Sequence, residues 1–293
     1  MKILAMCFLI MSIGLAEAQS PNKTLNEDVE MRIPASEFDA KTIFMMKNIN
    51  GDVEVTGYDG DEILITGVKS LYRKRGEVTP AESDEIHLEK YRSSEKLIVY
   101  IKAPNVEVNE KNDDLHYHIH WDDNKRDKNR VQFTFFLELK VPNYLMAEIS
   151  TINGGELLVE NMKNGVNASN VNGNITIREV RGEIGANTVN GNITVGLVEN
   201  PTTDVRFNTV NGTIEVEAPK NLSAVVTFKS LHGDLYTDFE NVEHLPSRLN
   251  KISNAGAKSY RVEQTSPIQI GSGGPEINFH LVNGNAYIKQ IKS

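Results

Sequence analysis

Along most of the chain, apolar and polar residues alternate over short stretches, which is typical of β-strands with one buried face. The clearest alternation covers residues 131–141, where valine, phenylalanine or leucine occupies every second position. Between residues 147 and 236 similar stretches repeat, and Asn-Gly steps interrupt them. The pattern therefore predicts an all-β protein whose many short strands share one elongated core.

One phrase, close to Thr-Val-Asn-Gly-x-Ile-x-Val, recurs in this region. Its glycines lie at 154, 173, 191, 212 and 233, so successive copies are 19, 18, 21 and 21 residues apart. A fixed period near 20 residues is typical of stacked repeats. Outlying copies at Gly51 and Gly284 indicate that the fold reaches both ends, and we expect the copy at Gly284 to cap the stack.

Two architectures explain an Asn-Gly step between strands. In a hairpin it forms a type I′ turn, and the flanking strands pair with each other. In a β-solenoid, a stack resembling a single-stranded β-helix, it is a corner, and each strand pairs with its equivalent one repeat along. Near-identical residues at equivalent positions favour the solenoid, in which stacked asparagine amides can form a ladder. The solenoid would align Ile175, Ile193 and Ile214, and likewise Asn172, Asn190 and Asn211.

The complete set of predicted corner residues is Asn153, Asn172, Asn190, Asn211, Asn283, Gly154, Gly173, Gly191, Gly212, Gly233 and Gly284. Between the corners, apolar residues recur at four positions of each repeat. One of these positions directly precedes the asparagine, as at Val171, Val189 and Val210. We expect all four positions to face the core, because no single repeat could bury its own apolar side.

The predicted organisation begins with a signal peptide at 1–18 and a flexible leader at 19–30. A β region at 31–146 follows, with a long polar excursion at 105–130, and the repeat region spans 147–293. We expect the two β regions to form one continuous domain.

The first eighteen residues have the features of a secretory signal peptide. Lys2 is basic, residues 3–15 are apolar, and Ala16-Glu17-Ala18 is a small-x-small cleavage site. The only cysteine, Cys7, lies in the apolar run, so the mature chain would have no disulfide and no thiolate metal site. The sequence therefore predicts export to the periplasm, the cell surface or the medium.

The net charge is −9, and removing the first eighteen residues leaves it unchanged. An acidic chain without a basic stripe is a poor ligand for nucleic acid or anionic membranes. After the signal peptide, no segment is long and apolar enough to span a membrane as a helix. The expected partners are instead carbohydrate, an envelope protein or further copies of the chain, and no cofactor is predicted.

The sharpest local motif is a histidine cluster in the polar excursion. In a strand, alternate residues would share one face. Two of the histidines could reach one Zn²⁺, whereas all three span too far without a further carboxylate such as Asp113, Asp114 or Asp122. Alternatively the histidines face water on an edge hairpin, or form a pH-responsive patch. The candidate metal ligands are His116, His118, His120 and Asp122.

Outward-facing polar rows along the repeat could hold a glycan, although a solvated sheet face explains them equally well. They comprise Asn174 and Thr176, Asn192 and Thr194, Thr213 and Glu215, and Asp234 and Tyr236. Motifs for catalysis are missing: Gly271-Ser272-Gly273-Gly274 is not a nucleophile elbow, and there is no Gly-x-x-x-x-Gly-Lys loop. We therefore predict that the protein is not an enzyme.

The strand Phe133–Pro142, followed by repeated Thr-Val-Asn-Gly-x-Ile-x-Val units, resembles the DUF4097 family of bacterial adhesin-like proteins. The resemblance implies an all-β, solenoid-like stack in an exported protein and supplies no functional residues. Our interpretation is a non-enzymatic envelope scaffold or adhesin-like binding module. The alternative is a periplasmic ligand or metal sensor that uses residues 116–123, and a third is a carbohydrate-active enzyme.

Overall fold

The computed structural model describes residues 24–111, 114–120, 129–247, 249–254, 257–262 and 266–292. The predicted signal peptide and the candidate ligand Asp122 lie outside the described residues. No helix within the described ranges is long and apolar enough to cross a membrane.

The elements before the repeat region are mostly strands. They are β1 (Leu25–Ile33), a 3-10 turn (Ala35–Glu37), β2 (Ile43–Lys47), β3 (Val53–Tyr58), β4 (Ile63–Tyr72), α1 (Pro80–Asp84), β5 (His87–Arg92), β6 (Lys96–Lys102), β7 (Val106–Lys111), β8 (Asp114–Ile119) and β9 (Gln132–Pro142). Helix α1 begins with a capping box in which Thr79 and Glu82 bond each other's backbone N–H.

The regular elements in the described part of the repeat region are all strands. They are β10 (Met146–Ser150), β11 (Leu157–Glu160), β12 (Gly165–Ser169), β13 (Ile175–Val180), β14 (Glu183–Asn190), β15 (Ile193–Leu197), β16 (Val205–Asn211), β17 (Ile214–Ala218), β18 (Ala224–Lys229), β19 (Leu235–Thr237), β20 (Val242–His244), β21 (Leu249–Asn254), β22 (Ala257–Val262), β23 (Ile268–Ile270), β24 (Glu276–Asn283) and β25 (Ala286–Gln290).

Two long sheets contain most of these strands. Sheet A has ten strands in the order β1-β4-β9-β3-β11-β13-β15-β17-β25-β19, and sheet B has eleven in the order β20-β23-β18-β24-β16-β14-β12-β10-β2-β6-β5. Each repeat gives one strand to sheet B, turns at the Asn-Gly corner, and gives the next strand to sheet A. Equivalent strands pair in parallel, so the solenoid prediction is confirmed and the hairpin alternative is wrong. Ile175 pairs with Ile193 and Ile193 with Ile214, as predicted.

The inward faces of the two sheets enclose one continuous hydrophobic core. At one row of sheet B the side chains enlarge along the stack, from Ala168 and Ala186 to Phe207 and Phe279. All four are fully buried, and the rings of Phe207 and Phe279 lie 5.9 Å apart. Equivalent residues of neighbouring repeats therefore fill the core together, and each repeat buries its apolar face against the next repeat.

The last copy of the repeat does not cap the stack. Strand β24 lies between β16 and β18 and pairs in parallel with both, and β25 lies in the same way between β17 and β19. The expectation of a terminal cap was therefore wrong. The residue pattern of this copy fits any internal position, so the pattern alone does not specify the stacking order. The repeat with β18 and β19 is the outer one, and antiparallel β23 and β20 extend sheet B beyond it.

The predicted flexible leader at 19–30 was wrong for residues 25–30, which belong to β1. This strand pairs antiparallel with β4 along its whole length. Its alternate residues Leu25, Val29 and Met31 pack against the core, so a segment rich in charge still has one apolar face.

Buried Lys69 on β4 connects this strand to β1 and to α1 through an ion pair and hydrogen bonds. Its ammonium lies 2.9 Å from the Ser83 carbonyl, 2.9 Å from the Ile86 carbonyl and 2.9 Å from Glu27 Oε2. The Glu27 carboxylate also accepts a hydrogen bond from the Ser83 hydroxyl. The hydrogen bonds from Lys69 and Ser83 hold the pKa of Glu27 below its ordinary value.

Candidate functional site

The Asn-Gly corners carry a ladder of asparagine amides, as predicted. Each amide nitrogen donates to the amide oxygen of the asparagine one layer along, at 2.8–3.2 Å. The ladder comprises Asn50, Asn153, Asn172, Asn190, Asn211 and Asn283. Asn50 closes its outer end by donating to the Phe133 carbonyl.

Two further hydrogen-bond series, which the sequence did not reveal, lie beside the ladder. In the first, buried side chains donate to glycine carbonyls: Asn170 to Gly155, Thr188 to Gly173 and Thr209 to Gly191. In the second, Asp52, Asn174, Asn192 and Asn285 accept the backbone N–H of the next layer. Most polar side chains of the corner therefore hydrogen-bond within the fold, although Asn170 Oδ1 and Ser230 Oγ are buried without a partner among the described residues, and the corner is a structural element.

The apolar residues that precede the ladder asparagines do not all face the core, contrary to our expectation. Val171, Val189, Val210 and Val282 are 36–39% exposed, and Leu231, which precedes His232 at the equivalent position, is 71% exposed. The chain bends at the corner, so the residue before the asparagine lies on the outside, although Ile49 at the matching position near the start of the stack is buried.

The outer face of sheet A presents the polar rows predicted from the repeat. One row runs across neighbouring strands in the order Leu158, Thr176, Thr194, Glu215, Tyr287 and Tyr236. Because β25 lies between β17 and β19, Tyr287 joins a row for which the sequence analysis predicted only Tyr236. The row therefore changes from threonine at positions 176 and 194 to two aromatic rings at the edge of the sheet.

The two tyrosines form a stacked pair at the end of sheet A. Their ring centroids lie 5.1 Å apart and the ring planes differ by 16°. Tyr236 is 47% exposed, and its strand β19 is the last of the sheet. Large exposed aromatic side chains are more informative than scattered aliphatic ones, because their burial against a ligand releases much apolar surface.

Charged groups surround this pair. Lys289 Nζ lies 2.7 Å from Glu215 Oε1 and 4.9 Å from the centroid of the Tyr287 ring. The hydrogen bond to Glu215 raises the pKa of Lys289. Asp238 follows β19, and its Oδ1 accepts the backbone N–H of Gln290 at 2.8 Å.

The histidine cluster lies on β8, which pairs antiparallel with β7 in a separate two-stranded sheet. His116, His118 and His120 are exposed, whereas Leu115 and Ile119 are buried, so the predicted alternation of the two faces is confirmed. The rings of His118 and His120 lie 4.8 Å apart in an edge-to-face arrangement.

Glu107 on β7 is the partner that the sequence analysis missed. It faces His118 across the hairpin, and its Oε2 lies 2.9 Å from His120 Nε2. The hydrogen bond from Asn109, followed by that with His120, lowers the pKa of Glu107. Within the described ranges, no group of three His, Cys, Asp or Glu side chains is already arranged around a metal position.

The repeat region matches a known family model. Residues 151–267 match the Toastrack DUF4097 family model. This match confirms the resemblance that the Asn-Gly phrase indicated, and it begins at the first corner of the main array. No curated protein matches the chain.

Solved bacterial structures are distantly similar. A proposed cell adhesion protein from Clostridium sporogenes is 12% identical, with a TM-score of 0.45 over 91% of this chain and 100% of that one. A proposed adhesin from Bacteroides fragilis is 11% identical, with a TM-score of 0.36 over 92% and 97%. A proposed lipid-binding protein from Parabacteroides distasonis is 11% identical, with a TM-score of 0.28 over 91% and 97%.

Proposed function

We propose that the protein is an exported, non-enzymatic β-solenoid that acts as an envelope scaffold or adhesin-like binding module. The contrast between two surfaces carries the proposal. At the corners, most polar side chains hydrogen-bond along the stack, whereas the outer face of sheet A has exposed polar and aromatic side chains in aligned rows. That face is therefore available to carbohydrate or to an envelope protein.

The stacked architecture supports this role because it makes the face rigid. The layers are hydrogen-bonded to their neighbours through both sheets, and the six layers from Asn50 to Asn283 are also joined through the corner ladder. A ligand that spans several strands would therefore meet side chains already held at the spacing of about 4.8 Å between strands. Little ordering of the protein would accompany binding, which favours affinity.

Localisation and binding together test this proposal. In the bacterium that makes the protein, we expect a mature chain that begins after Ala18 and that external protease reaches in intact cells or spheroplasts. Beads coated with the mature chain should bind isolated envelope material more than beads coated with albumin. A cytoplasmic chain that retains residues 1–18, or beads that bind no more than the albumin control, would contradict the proposal.

A second candidate function is metal sensing by the hairpin, and the Glu107–His120 contact favours it. On a tetrahedral Zn²⁺ with bonds near 2.1 Å, two ligand atoms lie about 3.4 Å apart. The 2.9 Å hydrogen bond between Glu107 and His120 is close to that separation, and His118 stands beside both. An ion would replace this hydrogen bond with two coordinate bonds, with Asp122 as a further predicted ligand.

Calorimetry with Zn²⁺ and with Ni²⁺ near neutral pH tests the metal candidate. Deleting residues 105–130 would be a poor variant, because Val106, Leu115 and Ile119 are buried. The double variant H118Q/H120Q keeps those contacts and should abolish the heat of binding, whereas H280Q on sheet B should not. No heat with either metal, or equal heat in the double variant, would eliminate this candidate.

A further inference from the structure

We propose that Tyr236 and Tyr287 form a stacking platform for a neutral sugar ring at the edge of sheet A. This inference rests on the proposed binding function, since it names the ligand class and the place of contact. The intercalation of β25 creates the platform by joining two tyrosines that are far apart in sequence.

The ring geometry leaves one aromatic face for a ligand. The two rings are nearly parallel, so Tyr287 supports Tyr236 from the side of the sheet. Among the described residues β19 is the last strand of sheet A, so no further described strand of that sheet stacks on the opposite face of Tyr236. The face of a phenol ring carries partial negative charge, which attracts the polarised C–H groups on one side of a pyranose.

Polar side chains flank the two tyrosines on both strands. Asp234 and Asp238 lie two residues before and after Tyr236 and are exposed. The Asp234 carboxylate makes no hydrogen bond or ion pair to any described residue. Asn285 and Lys289 hold the same two positions around Tyr287 on the neighbouring strand.

The charges select a neutral ligand over an acidic one. Two aspartates flank the exposed ring, and the chain has a net charge of −9. The nearby cation, Lys289, is already paired with Glu215 at 2.7 Å. A uronic or sialic acid would therefore meet uncompensated negative charge, whereas hydroxyl groups can donate to the carboxylates.

A carbohydrate also fits this surface better than a protein does. Stable protein interfaces have an apolar core from which charged residues are depleted. Here the aromatic area is two rings wide, and threonine, glutamate, lysine and aspartate surround it. One stacked ring with several hydrogen-bonding neighbours is instead the size of a single sugar subsite.

The decisive experiment compares single variants of the mature chain on immobilised glycans and by calorimetry. The probes are neutral cello-, chito-, malto- and manno-oligosaccharides, with sialylated and sulfated glycans as acidic controls. Y236T installs the residue that occupies this row at Thr194, and Y236F keeps the ring without its hydroxyl. The matched control is Y144A, because Tyr144 is 39% exposed on the turn after β9.

We expect a neutral glycan to bind the wild type. The Y236T substitution should raise the Kd for that glycan by about tenfold or more. Y236F and Y144A should remain within about threefold of the wild type. The tyrosine pair also stabilises the sheet edge, so each variant's thermal unfolding is measured alongside. A Y236T variant that keeps the wild-type melting temperature and loses binding supports a platform, because a purely structural pair would lower only stability.

Other results would overturn the platform, and they show whether the proposed function fails with it. If the wild type binds no neutral glycan yet its beads still bind envelope material, the binding module stands and the platform fails. Equal affinity of Y236T and the wild type also eliminates the platform. Preference for acidic glycans, or binding to envelope that protease treatment abolishes, would assign this face to a different ligand. Failure of both glycan and envelope binding would remove the function and the platform together.

Discussion

The corner glycines offer a sharp test of how the stack is held together, and Gly191 is the best position. A Cβ added to Gly191 would lie 2.0 Å from the Gly173 carbonyl oxygen and 2.6 Å from its carbon. The backbone at Gly191 and at Gly173 cannot shift easily, because hydrogen bonds to the next layer hold both residues. Gly191 N–H donates to the Asn211 carbonyl and Gly173 N–H to the Asn190 carbonyl, both at 3.0 Å. G191A must therefore push two hydrogen-bonded layers apart by roughly 1 Å.

The expected cost follows from two contributions. Forcing a methyl group into a close-packed site costs about 1–3 kcal/mol. Weakening one or two backbone hydrogen bonds adds about 0.5–1.5 kcal/mol for each. G191A should therefore lower the free energy of unfolding by about 3 kcal/mol. In a chain of this size, that corresponds to a fall of about 6–12 °C in the melting temperature.

Gly196, on the next strand of the same repeat, is the matched control. A Cβ there would meet no heavy atom within 4 Å. G196A should lie within about 0.5 kcal/mol of the wild type or be slightly stabilised, since alanine restricts the unfolded chain. Both variants are measured by urea unfolding followed by circular dichroism. If G191A and G196A differ by less than about 0.5 kcal/mol, close backbone approach is not what requires glycine at the corner.

Three further predictions concern buried polar groups. T209V removes the hydrogen bond to a corner carbonyl at 3.1 Å and should cost about 1–2 kcal/mol in urea unfolding, whereas T194V on the outer face should stay within about 0.5 kcal/mol. K69M leaves Glu27 and two carbonyls without their cation and should cost about 3 kcal/mol in the same assay. Because the pKa of Glu27 is lowered in the folded state, its contribution is complete above the ordinary value of 4.5 and is lost as the pH falls through the lowered value. As the pH falls through this acid range, the melting temperature should decrease less steeply for K69M than for the wild type. Equal decreases in the two proteins would refute the linkage.

The sequence was sufficient for the repeat, the corners and the local register. Identical side chains such as Ile175 and Ile193 must align when each strand pairs with its equivalent, so one residue pattern determines both the pairing and the buried face. The asparagine ladder follows from the same alignment. It joins Asn172 to Asn190 with the geometry that an interstrand spacing of about 4.8 Å allows.

The rest depended on long-range contacts that a repeat pattern does not encode. Because every copy of the phrase can pair with every other, nothing local placed β24 between β16 and β18. The role of Glu107 depended on the β7–β8 register, which sets it opposite His118. The exposed valines before the asparagines depended on where the chain bends, and hydrophobicity alone could not reveal that bend.

The intercalated strand changes where specificity should be sought. The sequence pointed to the irregular stretches outside the repeat, because loops commonly carry function. In the fold, however, Thr194 of one outer row is followed by Glu215, Tyr287 and Tyr236, so the departure from the pattern lies within the stack itself. Tyr236 is exposed and Tyr287 is half-buried on the outer face, so neither ring fills the core between the sheets. Their stacking at the edge strand is the observation on which the proposed sugar platform rests.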